Sequence, residues 1–115
     1  MDMLHIKQVL FVKIFAQFVL WCYDNGYELT DGEAYRTPEQ AALNAQSGKG
    51  ISNTIHTKRL ARDINLFIAG VYQLDSEAYR PLGDKWKTMH ELARWGGDFS
   101  RPDGNHFSFE HEGVR

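Results

Sequence analysis

Two segments that lie far apart in the sequence carry the side chains that most constrain how this chain can fold. The first contains His56 and Asp63, and the second contains Asp103 and His106. Two imidazoles and one carboxylate form the ligand set of a catalytic zinc site, which uses three protein ligands and leaves a fourth position for water. A further carboxylate beside such a site is free to handle protons. If these residues form one site, the middle of the chain and its C-terminal part must meet.

The spacing of His56 and Asp63 argues against one continuous helix as their support. On a helix their Cα atoms would be about 10 Å apart, at about 1.5 Å per residue, too far for two short side chains to converge easily on one ion. Residues Leu60 to Phe67 instead show the alternation of a β-strand, with Asp63 on one of its faces. We therefore expect His56 to lie on a turn before this strand and to fold back towards Asp63.

The second segment has the pattern of a turn followed by a strand. Proline and an Asp-Gly pair favour a turn at Arg101–Gly104. The alternation of His106–Phe109 predicts a strand that begins at His106. Such a strand would direct His106 to the metal, while the turn would place Asp103 beside the water.

Together the two segments carry the pattern Thr54-x-His56-x-x-x-x-Ala61-x-Asp63 followed by Asp103-x-x-His106. This pattern resembles the family of zinc D-alanyl-D-alanine carboxypeptidases and L-alanyl-D-glutamate endopeptidases, which includes the vancomycin-resistance D,D-peptidases and many bacteriophage endolysins. The usual family motif is Ser-x-His-x-x-Gly-x-Ala-x-Asp followed by Glu/Asp-x-x-His. Thr54 therefore replaces a serine and Arg59 replaces a glycine. The segment Gly32–Gln40 also resembles the arginine segment of the phage branch.

The resemblance implies a fold, a cofactor and a reaction. The fold would be α+β, a small antiparallel sheet with packed helices of the hedgehog and D-Ala-D-Ala peptidase type. Zn²⁺ would be the cofactor, and the reaction would be hydrolysis of the peptidoglycan stem peptide, either between L-Ala and D-Glu, as in phage endolysins, or at a D-Ala terminus. The implied roles are zinc ligand for His56, Asp63 and His106, general base and acid for Asp103, substrate contact for Thr54, and substrate contact with charge stabilisation for Arg36.

Other readings of the same residues stay open. Iron(II) oxygenases use the same ligand types, but their His-x-Asp/Glu spacing is absent here. A non-catalytic module that holds zinc or binds wall peptides, such as a virion component, is the main alternative, although a structural zinc normally has four protein ligands. Arg36 is otherwise an ordinary surface arginine. Lys58, Arg59 and Arg62 form either a positive rim that attracts acidic stem peptides or a solvated charged face.

Length and charge bound the remaining possibilities. The 115 residues suit a single domain, residues 1–115. A formal net charge of −2 gives no argument for a nucleic-acid partner. The one cysteine, Cys22, lies in an apolar run, so we expect a buried structural thiol and no intramolecular disulfide.

The N-terminal run from Leu4 to Tyr23 is predicted to be an amphipathic helix packed on the core. Polar residues such as Lys7 and Lys13 interrupt it, and no small-residue cleavage site follows, so we expect neither a signal peptide nor stable membrane insertion. The expected location is the cytoplasm on synthesis and the bacterial cell wall after release. That release would need a helper protein such as a holin.

The other elements follow from local signals. Apolar periodicity predicts helices at Ile6–Asp24 and Asp84–Ala93, the second stopped by Gly96-Gly97. Thr37 as cap and Pro38 at the first position predict a helix to Gln46. Further expectations are a short strand at Tyr27–Thr30, a hairpin strand at Val71–Leu74, a short helix capped by Ser76 before Pro81, a packed rather than metal-binding His90, and a solvated tail at Glu110–Glu112.

Overall fold

The computed structural model describes residues 3–51 and 53–115. Within them the chain forms three α-helices and five strands, together with short 3-10 turns at Ile55–Lys58, Ser76–Tyr79 and Gly96–Asp98. In chain order the elements are α1 (Met3–Asp24), β1 (Glu28–Asp31), α2 (Pro38–Gln46), β2 (Ala61–Ile68), β3 (Val71–Tyr72), α3 (Arg80–Met89), β4 (Ala93–Trp95) and β5 (His106–Phe109). The predicted α+β class is confirmed.

The sheet is antiparallel and its central strand is β2. The strand order is β1-β2-β5-β4, and β3 pairs with β2 to complete a hairpin. In the ladder between β2 and β5, Asp63 lies opposite His106 and Arg62 lies opposite Phe107. Because successive residues of a strand point to opposite faces, Asp63 and His106 share one face of the sheet while Arg62 and Phe107 share the other.

The face that carries Phe107 is covered by α1 and α3. Phe18 of α1 packs against Phe107 and Trp86, with ring centroids 5.1 and 5.2 Å apart. The Trp86 indole N–H donates to the carbonyls of Arg94 at 3.0 Å and Ser108 at 3.2 Å, so this buried ring keeps its polar partners. The hydrophobic core thus occupies one face of the sheet and leaves Asp63 and His106 on the other.

Cys22 lies in this core and is fully buried. Burial raises the pKa of its thiol to about 12, because the thiolate would lose its hydration. The thiol is therefore protonated at neutral pH, and the prediction of a buried structural cysteine is confirmed.

Most local signals led to the right elements. Thr37 caps α2, its hydroxyl accepting from the backbone N–H of Gln40 at 3.0 Å, and the helix spans Pro38–Gln46 as predicted. The strand expected at Leu60–Phe67 is β2, shifted by one residue. The predicted hairpin partner is β3, and the predicted strand near Tyr27 is β1.

The elements around α3 differ from those predicted from the sequence. The helix runs from Arg80 to Met89 and not from Asp84 to Ala93, because Pro81 occupies its first turn, where a missing N–H costs nothing. Ala93 instead begins β4, a strand that the periodicity did not predict. Gly96-Gly97 therefore does not stop the helix but opens a 3-10 turn after β4.

Two smaller expectations are also wrong. Asp75, not Ser76, caps the turn Ser76–Tyr79, and the Ser76 hydroxyl accepts from the backbone N–H of Gly104 at 2.9 Å. The prediction of a solvated tail at Glu110–Glu112 is wrong for two of its three residues, while the Glu112 side chain is 83% exposed. The Glu110 carboxylate pairs with Arg94 at 3.3 Å, and the His111 side chain is only 11% exposed.

Helix α1 is less amphipathic than expected. One face is buried in the core through Phe11, Phe15, Phe18 and Cys22. The opposite face is also largely apolar and lies in solvent. By length and composition α1 is the one helix among the described residues that could cross a membrane.

Candidate metal centre

The strand register brings together two of the predicted ligands. Asp63 and His106 are directly paired across β2 and β5, and Asp63 Oδ1 lies 3.5 Å from His106 Nδ1. The His106 residue is 4% exposed, so its ring is almost out of water. One antiparallel strand pair thus brings together two residues that are far apart in the sequence.

The third predicted ligand arrives from the turn before β2. His56 lies in the 3-10 turn Ile55–Lys58 and is 3% exposed. Thr54 opens the turn, its hydroxyl accepting from the His56 backbone N–H at 3.4 Å. Arg59 ends the turn in the left-handed conformation, with φ of 58°. As predicted, the chain folds back, so that His56 Nε2 lies 3.3 Å from Asp63 Oδ1.

A backbone carbonyl fixes the orientation of the His56 ring. His56 Nδ1 lies 2.7 Å from the carbonyl oxygen of Ala34. Because a carbonyl can only accept, Nδ1 carries the hydrogen and donates it. In the neutral ring Nε2 is therefore the nitrogen with the lone pair, and it is the nitrogen near Asp63, as in a histidine that binds a metal.

The three side chains could hold a metal ion. Their possible ligand atoms all lie within 4.8 Å of one another. Among the described residues, Asp63 Oδ1 and His106 Nε2 are buried without a hydrogen-bond partner. Buried polar atoms are rarely left without a partner, and a cation bound to Asp63 Oδ1, which lies near His56 Nε2 and His106 Nδ1, would give that oxygen one. Two nitrogen donors and one carboxylate in a buried site suit zinc better than magnesium or calcium.

In the absence of a metal, the neighbouring side chains shift the pKa values of Asp63 and His56. Burial alone would raise the pKa of Asp63, but the neighbouring imidazoles His106 and His56 outweigh burial and lower it to about 2. Burial opposes protonation of His56, but the Asp63 carboxylate and the Ala34 carbonyl outweigh that cost, so the pKa of His56 is raised. Protons therefore compete with a metal for this site.

The segment between β1 and α2 holds both ligands in place. The backbone N–H of Asp63 donates to the carbonyl of Glu33 at 2.7 Å, and that of Arg36 donates to the carbonyl of His56 at 3.3 Å. Gly32 lies so close that a Cβ there would be 3.0 Å from Asp63 Cβ. This segment therefore acts as a clamp on the two N-terminal ligands.

Arg36, the predicted substrate contact, projects from the same segment. Its guanidinium pairs with the Glu33 carboxylate, which also lies 3.7 Å from His56 Nδ1. The Arg36 side chain is 16% exposed, and its Nε has no hydrogen-bond partner among the described residues. Glu33 thus holds the guanidinium beside the cluster, and the guanidinium keeps N–H donors that this pair does not use.

Asp103, the predicted proton carrier, is outside the three-ligand cluster but next to it. Its carbonyl accepts from the His106 backbone N–H at 3.1 Å, and its own N–H donates to the Gly96 carbonyl at 2.9 Å. Partial burial of its carboxyl, followed by repulsion from Asp63, raises the pKa of Asp103. The histidines and Arg36 act in the opposite direction, so Asp103 is within electrostatic reach of the whole site.

Three other residues considered in the sequence are not ligands of this cluster. His90 caps the end of α3 and stacks on Phe109 at 4.9 Å, away from the three ligands, as expected for a packed histidine. Arg62 pairs with Asp31 on the α1 side of the sheet, so it does not belong to a rim around the metal cluster. Thr54 is buried and serves as a cap, and its contact with substrate stays a prediction.

Sequence reasoning missed the supporting residues. Glu33 and Ala34 contact His56 from a distant part of the chain, and only the three-residue spacing of Glu33 and Arg36 hints at a pair. Gly96 is equally necessary, because a Cβ there would lie 2.1 Å from the Asp103 carbonyl oxygen. Such close approaches leave no periodic signal in a sequence.

Comparison with known proteins supports the fold. No protein-family model matches the chain, and no curated protein matches it. Among solved structures, the L-Ala D-Glu endopeptidase ChiX of Serratia marcescens superimposes with a TM-score of 0.67 at 17% sequence identity. The match covers 90% of this chain and 77% of that chain. The chain therefore has the fold of this peptidase, with a candidate metal-binding triad.

Proposed function

We propose that this chain is a zinc peptidase that hydrolyses an amide bond in the stem peptide of peptidoglycan, between L-Ala and D-Glu. The observation that carries the proposal is the buried group of His56, Asp63 and His106 on the fold of an L-Ala D-Glu endopeptidase. The phage-like arginine segment Gly32–Gln40 supports the choice of bond.

The roles of the residues follow from their positions. Zinc, when bound, would act as a Lewis acid that polarises the scissile carbonyl and makes water more acidic. Asp103 accepts the proton of the attacking water and gives it to the leaving amine. Its raised pKa suits this task, because a carboxyl that ionises closer to neutral pH both takes and releases a proton more readily.

Arg36 is suited to hold the negative charge of the substrate. Its planar guanidinium has five N–H donors, and the pair with Glu33 uses only part of them. The remaining donors can bind a stem-peptide carboxylate or the oxygen on which charge develops. Because Glu33 also approaches His56, it fixes the position of Arg36 relative to the ligands.

The ligand count favours catalysis over a structural metal. A structural zinc normally has four protein ligands, whereas the cluster found among the described residues contains three. A further carboxyl, that of Asp103, is near enough for Asp63 and the two histidines to act on its pKa, and it would serve as the proton carrier that catalysis needs. A non-catalytic wall-binding module would require neither an open metal position nor this acid.

The protein would act on the bacterial cell wall. The substrate is the stem peptide, and neither a nucleic acid nor a stably inserted membrane segment takes part. Synthesis in the cytoplasm followed by release through a helper such as a holin would bring the single domain to the cell wall. The acidic stem peptide itself would be the partner of the site.

Digestion of purified cell walls tests this function. Mass spectrometry should find muropeptides cut between L-Ala and D-Glu, with one new amino group on D-Glu for each cut. Release of D-Ala would indicate the carboxypeptidase reaction instead. If a folded, zinc-loaded wild type releases no amino groups, the non-catalytic module is the better account.

A further inference from the structure

Helix α1 carries a second, largely apolar surface on its solvent side. Along its solvent side run five small or apolar residues, which we call the α1 stripe: Val9, Val12, Ala16, Leu20 and Tyr23. Val12 is 69% exposed and Leu20 is 66% exposed. Scattered exposed apolar side chains are ordinary, but a continuous patch of them usually marks an interaction site.

The stripe is symmetric about its smallest member. Val12 and Leu20 lie four positions before and after Ala16, and Val9 and Tyr23 lie seven positions before and after it. Positions separated by three, four and seven residues share one face of a helix. The spacing of the stripe is therefore the same in either chain direction, with larger residues on both sides of a small centre.

We propose that the α1 stripe is the interface of a homodimer in which two copies of α1 pack antiparallel and cross at Ala16. A two-fold axis through Ala16 places Val12 opposite the partner's Leu20 and Val9 opposite the partner's Tyr23. Self-complementarity of this kind is what a two-fold interface requires. The small side chain at the centre lets the helices approach closely.

A groove beside the helix adds to the contact area. It has a volume of about 690 Å³ and shares Val12, Ala16 and Leu20 with the stripe, and Tyr35 and Arg59 also line it. A stable interface takes about 800 Å² from each partner, more than five helix side chains supply. A second helix laid on the stripe also covers the mouth of this groove, which enlarges the buried surface.

The charged residues of α1 do not oppose an antiparallel pair of these helices. Lys13 is the one charged residue of α1 beside the centre of the stripe, three positions before Ala16. In the antiparallel pair the two copies of Lys13 are six positions apart along the axis, about 9 Å at about 1.5 Å per residue. Like charges therefore do not face each other, and the opposed helix dipoles attract.

The same facts make a lipid surface the weaker occupant. Helices that lie on membranes carry several cations around their apolar face. Here Lys13 is the main cation of the stripe, since Arg59 lies over the Tyr35 ring and Arg62 pairs with Asp31. A lipid surface also gives no reason for the symmetry about Ala16.

The oligomeric state tests the proposal. Light scattering of the wild type at high micromolar concentration should give twice the chain mass of 13.3 kDa. Ala16→Glu should give a monomer with unchanged circular dichroism, because Ala16 is exposed in the single chain and two carboxylates would meet at the axis. Ala42→Glu, the same change at an exposed site on α2, should remain a dimer.

Disulfide trapping tests the geometry. Ala16→Cys should cross-link to itself under mild oxidation, and a mixture of Val9→Cys and Tyr23→Cys should form the mixed dimer, while Ala42→Cys should not react. Native Cys22 does not interfere, since it is fully buried. A wild type that is monomeric at every concentration, with no cross-link at position 16, overturns the proposal. So does a monomer that co-sediments with phosphatidylglycerol vesicles and loses this binding in Ala16→Glu.

Discussion

Asp63 and His106 lie directly opposite each other in the antiparallel ladder of β2 and β5, with Asp63 Oδ1 3.5 Å from His106 Nδ1. The candidate metal site therefore depends on strand register. A slip of one residue would turn either side chain to the opposite face, where α1 and α3 pack. Residues that fix the approach of β5 to β2 should matter as much as the ligands.

Gly96 is the clearest residue of this kind. Gly96→Ala would place a Cβ 2.1 Å from the Asp103 carbonyl oxygen and 2.8 Å from His106 Cβ, so the turn must shift. We expect a loss of about 1–3 kcal/mol in the free energy of unfolding, together with weaker zinc binding. Denaturant unfolding and zinc titration measure both. Gly50→Ala, whose Cβ would meet its nearest atom at 3.6 Å, is the matched control, and an equally small effect at both positions would contradict this account.

Asp103→Asn should separate proton transfer from metal binding. The amide cannot accept the proton of water, so kcat/KM on cell-wall fragments should fall by about 10²–10⁴. Zinc stoichiometry should not change, because Asp103 is not in the three-ligand cluster. His106→Ala, by contrast, should lose both activity and zinc. An Asp103→Asn variant with full activity would remove Asp103 from the mechanism.

Arg36→Lys should test the guanidinium. Lysine keeps the positive charge but loses the planar set of donors, so we expect kcat/KM to fall by about 10² with zinc content unchanged. Kinetics on a stem-peptide substrate, with zinc assayed in parallel, would measure this. Arg80→Lys, a change in an arginine paired with Glu77 on the surface, is the control. Equal activity in Arg36→Lys and wild type would leave Arg36 as an ordinary arginine.

The zinc-free protein should have a characteristic pH profile. The pKa of Asp63 is lowered from 3.8 to about 2, so it contributes about 2 kcal/mol of stability above pH 3.8, which is lost as the pH falls towards 2. The pKa of His56 is raised from 6.5, so its contribution is complete below pH 6.5 and is lost as the pH rises through the raised value.

Zinc binds the neutral imidazole, so with zinc the protein should become more stable, not less, as the pH rises through the pKa of His56. The increase in Tm on adding zinc should therefore grow between pH 5 and pH 8. Thermal unfolding across this range, with chelator or with zinc, is the measurement. A zinc effect that is constant with pH would show that protons do not compete at His56.

Arg59 ends the turn that carries His56 in a backbone conformation that favours glycine. The residue is left-handed, with φ of 58°, and its guanidinium lies 4.0 Å from the centre of the Tyr35 ring. Arg59→Gly should be nearly neutral, since about 1 kcal/mol of relieved strain offsets the lost ring contact. Arg59→Ala should be less stable by about 0.5–1 kcal/mol, because it keeps the strain and loses the contact. Denaturant unfolding would decide, and equal losses in both variants would contradict this explanation.

The candidate site could largely be predicted from the sequence, because metal chemistry restricts residue types and spacing. His56, Asp63 and His106 come together as predicted. The charges of these residues act on the pKa of Asp103, whose role as proton carrier stays a prediction. The support from Glu33 and Ala34 could not be predicted, since it depends on a backbone segment that meets the ligands only in the folded state.

The same contrast holds for the fold. Helix α2 was predicted to the residue because Thr37 and Pro38 act locally. The boundary between α3 and β4 was not, because it depends on distant contacts. Gly83 of α3 packs so closely on Trp95 of β4 that a Cβ would lie 2.1 Å from the ring. Apolar periodicity alone does not distinguish that packing from a longer helix.

The most direct test of the central claim is the release of amino groups from purified peptidoglycan as zinc is added to the metal-free protein. Activity should be absent without zinc, rise in proportion to zinc and reach its plateau at one equivalent per chain. Full activity in the metal-free protein, or none at one bound equivalent, would contradict the assignment of His56, Asp63 and His106 to a catalytic zinc site.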